Sequence, residues 1–208
     1  TLISLRTHRP VAFDLGDLDR RGMLSGMGEI LGSIVAGRAN AIISGSTGSG
    51  KTTLLAALLA TVPANERILI IEESYELRPR HPHVVHLQER RENVQGAGAV
   101  SMSELVRAAM RMRPDRIVLG ECRGSEVRDV LSALNTGHEG GWATIHANSA
   151  MDVPARLIAL GALAGMNEAV VAAQASSALD AVIHVERRGG IRRIAQIAVL
   201  ERRGRELV

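Results

Sequence analysis

Aromatic side chains are almost missing from this chain: Phe13, Tyr75 and Trp142 are the only three in 208 residues. Its hydrophobic core must be aliphatic, and the stacking platforms that grip single-stranded nucleic acid are nearly absent. Cysteine is scarcer still. Cys122 stands alone, which excludes an intrachain disulfide and leaves nothing to argue for secretion. No apolar run approaches the ~20 residues that cross a bilayer, and Thr1 to Pro10 lacks the apolar centre of a signal peptide. A cytosolic chain is expected. Because it does not begin with Met, it is also expected to be a piece of something longer. Lysine is the last scarcity: of 25 lysines and arginines, Lys51 is the single lysine and the other 24 are arginines. The formal charge of +3 is small and the arginines lie scattered in pairs, so composition gives only a weak pointer to an acidic or membrane-proximal partner.

The one lysine stands in the most informative stretch of the chain. Gly45-Ser46-Thr47-Gly48-Ser49-Gly50-Lys51-Thr52 fits the phosphate-loop pattern GxxxxGK[ST] without a mismatch. Asn40 to Ser44 before it reads as a short buried strand, and Lys51 to Ala60 after it is rich in strong helix formers. Strand, glycine loop and helix is the order that phosphate binding requires. Glycines let successive amide N–H groups turn inward around an anion, and the helix points its positive end at the same spot. Lys51 can then reach the β- and γ-phosphates, and the Thr52 hydroxyl can ligate Mg²⁺.

Further on, apolar strands finish on charged residues. Arg67 to Ile71 is a β-branched run of parallel-strand type ending on Glu72-Glu73, and Arg116 to Gly120 runs into Glu121. Trp142 to Ile145 delivers His146. In an open α/β sheet the ligand lies at the carboxyl ends of the strands, where these side chains would project. His83 to Leu87 is a further strand. His81 and His83 share a face there while His86 points the other way, a poor arrangement for three metal ligands. Helices are expected from a Ser101–Glu104 capping box to about Arg113, from Ser125 to Asn135, from a Ser149 cap to Leu163, and from Asn167 to Ala178. Ala181–Glu186 and Ile191–Leu200 pair as a hairpin across a glycine turn. Residues 1–40 are less regular: Thr1–Arg6 could be a strand, Phe13–Arg21 reads as turn, and Ser25 could cap a helix to about Arg38.

Four stretches, in order, now carry a resemblance. GSTGSGKTT, ILIIEESYEL, RMRPDRIVLGECRGSE and TGHEGGWATIHANS are similar to the Walker A motif, Asp box, atypical Walker B motif and His box of the type II/type IV secretion-system and pilus-assembly ATPases. Within that family the chain most resembles the tight-adherence (Flp pilus) branch. The resemblance implies a RecA-like α/β P-loop core, a mostly parallel sheet flanked by helices with a C-terminal β-hairpin. It implies ATP and Mg²⁺ held by Gly45, Ser46, Thr47, Gly48, Ser49, Gly50, Lys51, Thr52 and Thr53. Glu121 would polarise the attacking water, Glu73 with Glu72 beside it would support metal or water, His146 would sense the γ-phosphate, and His138 would sit near the site. Residues 1–35 would be the remnant of an N-terminal domain and a linker, and 36–208 the ATPase domain.

Two departures stand out. The family often has Glu-Asp where this chain has Glu72-Glu73, which leaves the roles of the two open. Gly120 occupies the position of the Mg²⁺-binding Asp in other phosphate-loop ATPases, a departure that the family shares. The resemblance further implies a homo-oligomeric, hexameric ring at the inner face of the cytoplasmic membrane, working on an inner-membrane platform protein, with no nucleic acid expected. Two other classes share the core: a DNA-handling RecA-like motor, whose basic candidates would be the arginine pairs at 187–188, 192–193 and 202–203, and a nucleotide-gated, non-catalytic assembly module.

Overall fold

A computed structural model describes residues 13–204 and 206–208. The expected strand at Thr1–Arg6 lies outside the described residues. Seven strands form one sheet in the order β3-β2-β4-β5-β1-β6-β7. They are β1 (Ala41–Ser44), β2 (Ile68–Glu72), β3 (Val84–Gln88), β4 (Arg116–Cys122), β5 (Trp142–Ile145), β6 (Ala181–Arg188) and β7 (Ile191–Ala198). The first six run parallel, and β7 closes the sheet antiparallel to β6.

The sheet is buried on both faces, as its uninterrupted apolar runs require. Alternate residues face opposite layers. Ile43, Ile68, Ile70, Val118, Trp142 and Ile183 pack against α1 (Leu15–Arg20), α2 (Gly28–Ala36) and α3 (Lys51–Leu59). On the other face Ile42, Leu69, Ile71, Ile117, Leu119 and Ile145 pack against α4 (Met102–Ala109), α5 (Val127–Leu134), α6 (Val153–Leu163) and α7 (Glu168–Ala178). The fold is the three-layer, RecA-like α/β arrangement expected, with the C-terminal hairpin in place.

The N-terminal stretch departs from expectation. Phe13–Arg21 is no turn: Asp14 caps α1 in a reciprocal box with Asp17. Ser25 does not cap α2, because its φ of 54° is left-handed and the helix starts after Met27. Leu18, Met23, Leu24, Leu31 and Val35 are buried in the same cluster as α3 and β1. At the chain's end a short ladder of β8 (Arg202–Arg203) and β9 (Glu206–Leu207) was not foreseen. α4 stops at Ala109, and Met110–Met112 continue as a tighter 3₁₀ turn before Arg113 turns left-handed.

The edge of the sheet where the strands begin is held by a buried charge. Arg116, 1% exposed, donates from Nε to Glu66 Oε2 at 2.6 Å and from its Nη2 to the Val35 carbonyl at 3.0 Å. Arg38 joins the same carboxylate at 3.0 Å. Removing one partner of a buried pair strands the other charge away from water, at a cost of about 3–5 kcal/mol. Glu66→Ala is therefore expected to lower unfolding stability by about that amount, read by urea denaturation. A loss below about 1 kcal/mol would show that water reaches the guanidinium.

Candidate functional site

β1 delivers the chain to the glycine loop at the opposite edge. Gly45 has φ 151°, and a Cβ there would lie 2.2 Å from the Val185 carbonyl oxygen, so only glycine lets the loop leave β1 this close to β6. Gly50, at φ 106°, turns the chain into α3. Lys51, 7% exposed, opens that helix and folds back so that Nζ donates to the carbonyls of Gly45 at 2.8 Å and Ser46 at 3.2 Å. Burial pulls its pKa below the usual lysine value. A desolvated ammonium beside the free amides of a helix N-terminus favours an anion.

Facing this loop are the ends of β2, β4 and β5. Glu72 closes β2 on the α3 side, 5% exposed, and its Oε1 accepts from the amides of Leu77 at 2.9 Å and Glu76 at 3.2 Å. Burial outweighs those amides and pushes its pKa up to about 7. Its bulk also accounts for Gly120. A Cβ on Gly120 would lie 2.7 Å from Glu72 Cγ, so no aspartate fits there while Glu72 holds this place. β4 slips register between Leu119 and Cys122, and such a bulge re-aims the side chains it carries. Glu121 projects from it to meet both Arg123 and His146 Nε2. Burial, and then the Lys51 charge, hold the His146 pKa below the ordinary histidine value. Glu73, just past β2, is more exposed and pairs with Arg123 at 3.0 Å.

These groups line one cavity of about 370 Å³, with Thr47, Gly48, Lys51 and Thr52 on the loop side and Glu72, Glu73, Glu121 and His146 opposite. Thr53, one residue further on, lines a separate cavity. His138 is not brought in. It precedes β5, at the edge where the strands begin, and its Nδ1 bonds the Ala133 carbonyl at 3.1 Å, so its expected nearness to the site is corrected. His81 contacts the Pro63 carbonyl and His86 packs on Tyr75. The arginine pairs considered for nucleic acid are partly committed elsewhere: Arg193 to Glu186 and Arg192 to the glycine loop.

Comparison with known proteins fits this geometry. Residues 1–192 match the family described as type II/IV secretion system protein. The chain belongs to that family. A Mycobacterium tuberculosis protein named for conjugal transfer is 52% identical over 202 residues, covering 96% of this chain and 57% of its own length. The type IV secretion system protein PtlH of Bordetella pertussis is 42% identical over 165 residues, 76% of this chain and 48% of its own. Among solved structures, the VirB11 ATPase of the Brucella suis type IV secretion system, crystallised with sulphate, superposes with a TM-score of 0.74 at 28% identity, covering 94% of this chain and 60% of the other. The pilus retraction motor PilT with bound ADP gives 0.71 at 26% identity, with 96% and 57% covered. The chain thus spans about half the length of the curated relatives it matches.

For a member of this family the donors present suit a nucleotide with a hard cation. Thr52 offers a hydroxyl, and the nearby carboxylates offer oxygens. Among the described residues no cluster of three or more His, Cys, Asp or Glu could hold a metal by itself, so a Mg²⁺ here would share its shell with phosphate oxygens and water. Two contributors escaped sequence reasoning. Arg123 lies two residues past Glu121, inside the RGSE string already singled out, and joins Glu121 to Glu73. Arg192 comes from the distant hairpin to donate from Nε to the Gly48 carbonyl at 3.0 Å, and nothing local in the sequence marks that contact.

Two outcomes follow from the burial of these groups. The native state keeps a proton on Glu72 up to about pH 7, which the unfolded chain releases nearer 4.5, so stability falls as pH rises through that window. Glu72→Gln is expected to remove that slope and to stabilise the protein above pH 7 by about 1–3 kcal/mol, with no gain near pH 4. Thermal melts of both proteins across that range check it. Cys122 is 2% exposed, and burial followed by the Glu126 charge raises its thiol pKa far above the ordinary range. A thiol-reactive chromophore is expected to label it only as fast as the chain unfolds; rapid labelling of the native protein would contradict the packing.

Proposed function

We propose that the chain is the ATP-binding and ATP-hydrolysing motor domain of a secretion or pilus-assembly ATPase. The observation that carries the reading is the convergence, around one cavity, of a helix-opening Lys51 drawn out of water and a Glu121 carboxylate steadied by Arg123 and His146. That pairing suits attack of water on a terminal phosphate. Glu121 orients the water, whose oxygen attacks the γ-phosphorus in line as the bond to the β-phosphate oxygen breaks. Lys51 and the loop amides take up the charge that moves toward the leaving group. Thr52, with Glu73 in support, would hold a Mg²⁺, which would supply neutralisation of phosphate charge. Since Glu73 now pairs with Arg123, that support requires it to change partner. His146, beside Glu121, is the group positioned to register whether the γ-phosphate is present.

We read residues 1–35 as the link to an upstream domain, its described part docked on the ATPase domain of residues 36–208. The motor is a homo-oligomer, a hexameric ring, peripheral at the cytoplasmic face of the inner membrane and acting on a platform protein there, in the tight-adherence branch. Among the described residues no helix is long and apolar enough to cross a membrane. Support for the assembly comes from family membership alone. Arginines of the upstream domain complete the charge at the γ-phosphate, so the chain alone turns over feebly, an arginine finger being worth about 10³–10⁵ in rate.

ATP affinity and turnover, measured with and without an upstream domain, test this. Lys51→Ala is expected to weaken ATP binding by about 100-fold. Glu121→Gln should keep ATP binding and lose turnover by about 10²–10⁴. Binding without turnover in every form would favour a nucleotide-gated assembly module. Full turnover by the isolated chain would refute the split site.

A further inference from the structure

The last row of the sheet before the glycine loop is polar where the rows behind it are apolar. Ile145, Ser44, His184 and Gln196 lie side by side in it, across β5, β1, β6 and β7. Two residues back, Ile42 and Val182 face the layer of α4 to α7, so Ser44 and His184 point the same way. Both are buried, His184 with 5% of its surface exposed. The Ser44 Oγ and the His184 Nδ1 are 2.9 Å apart, and the His184 ring also bonds the backbone of Asn148. Burial holds the His184 pKa below the ordinary histidine value, so the ring is neutral. A neutral imidazole has one N–H and one lone pair, enough for these two bonds.

The two ends of this bridge belong to different parts of the site. Ser44 precedes Gly45, whose carbonyl accepts from Lys51 Nζ at 2.8 Å. Asn148 follows His146, which meets Glu121 at the cavity. The segment beyond His146 is fastened a second time, where the Ala150 amide donates to Gln196 Oε1 at 3.3 Å. Gln196 stands opposite His184 in the β6–β7 pairing, so one cross-strand pair holds the segment at Asn148 and at Ala150. His184 itself stays behind the loop and does not line the cavity. An aliphatic pair would fill the row without the cost of taking two polar groups out of water. What the bonded pair adds is a fixed geometry between the two segments.

We propose, resting on the ATP-binding reading above, that His184 is a positioning residue that couples the segment carrying His146 to the phosphate loop. A terminal phosphate that draws His146 away from Glu121 moves the backbone that follows it. The His184 ring, bonded to that backbone at Asn148, passes the movement to Ser44 and so to the Gly45 carbonyl that holds Lys51. The presence of the γ-phosphate is then felt at the loop through a residue that touches no part of the nucleotide. Coupling of this kind is a free energy shared between two places, so breaking the bridge at either end has the same effect.

Ring-nitrogen NMR of the chain, first with ADP and then with a non-hydrolysable ATP analogue, reads the coupling. The His184 resonance, identified by its loss in His184→Gln, is expected to differ between the two states. That difference should vanish in His146→Gln, which leaves the charge of the nucleotide in place. Calorimetric Kd values supply a second readout. His184→Phe fills the space without the bonds, and Ser44→Ala removes one of them by deleting a single buried oxygen, a change small enough to keep the fold. Each should change the ratio of analogue to ADP affinity in the same direction as His146→Gln, by about three-fold or more, with ADP itself within about two-fold. His184→Gln, which can still accept at one end and donate at the other, should recover most of the native ratio. A His184 signal indifferent to the γ-phosphate, a difference that survives His146→Gln, or a native ratio in Ser44→Ala overturns the coupling and leaves ATP binding intact. A ratio that His146→Gln leaves unchanged overturns the sensing role of His146 and the coupling with it. Failure of both nucleotides to bind the chain, or binding that survives Lys51→Ala, instead overturns the ATP-binding reading on which the coupling rests.

Discussion

Parallel pairing of β1 with β5 on one side and β6 on the other is the constraint from which the site follows. All four β1 residues are buried, so its register cannot slip without moving apolar side chains between layers. Where β1 stops, the chain must turn inside the width of one strand spacing, and the Val185 carbonyl stands in the way of any side chain at Gly45. The turn sets the first amides of α3 against the ends of β4 and β5. Glu121 and His146 reach the loop because their strands run parallel to β1 and end at the same edge.

The two edges of the sheet handle charge in opposite ways. Where the strands begin, Arg116 is enclosed with Glu66 and the Val35 carbonyl, a pairing that locks α2 and the segment before β2 onto β4. Where they end, Lys51 is drawn from water and donates to the carbonyls of Gly45 and Ser46, and Glu72 is buried with a raised pKa. Groups left that way gain from a ligand or proton what they lost in hydration. The first edge is finished by the chain itself, whereas the second is poised for something to arrive. Arg123 is shared between Glu121 and Glu73 at that edge.

The sequence by itself determined a good deal. Uninterrupted β-branched runs marked β2 and β4 as buried parallel strands because burial on both faces removes alternation, and the glycine loop declared its chemistry because few other arrangements use that spacing. The convergence of Glu72, Glu73, Glu121 and His146 with Lys51 was legible for the same reason, since parallel strands put their ends together. Local reasoning failed where long-range contact decides. His138 shares a short motif with His146, yet the length of β5 carries the two to opposite edges. α2 starts without a side-chain cap and is held by packing on α3, which no local pattern announces, while the Asp14–Asp17 box that opens α1 lies in a stretch that reads as turn. Only the tertiary structure could bring the β6–β7 hairpin, more than a hundred residues away, onto the glycine loop through Arg192, or make Glu72 the reason that Gly120 has no side chain. Both depend on which strands neighbour one another, and strand order is set by the packing of the whole sheet.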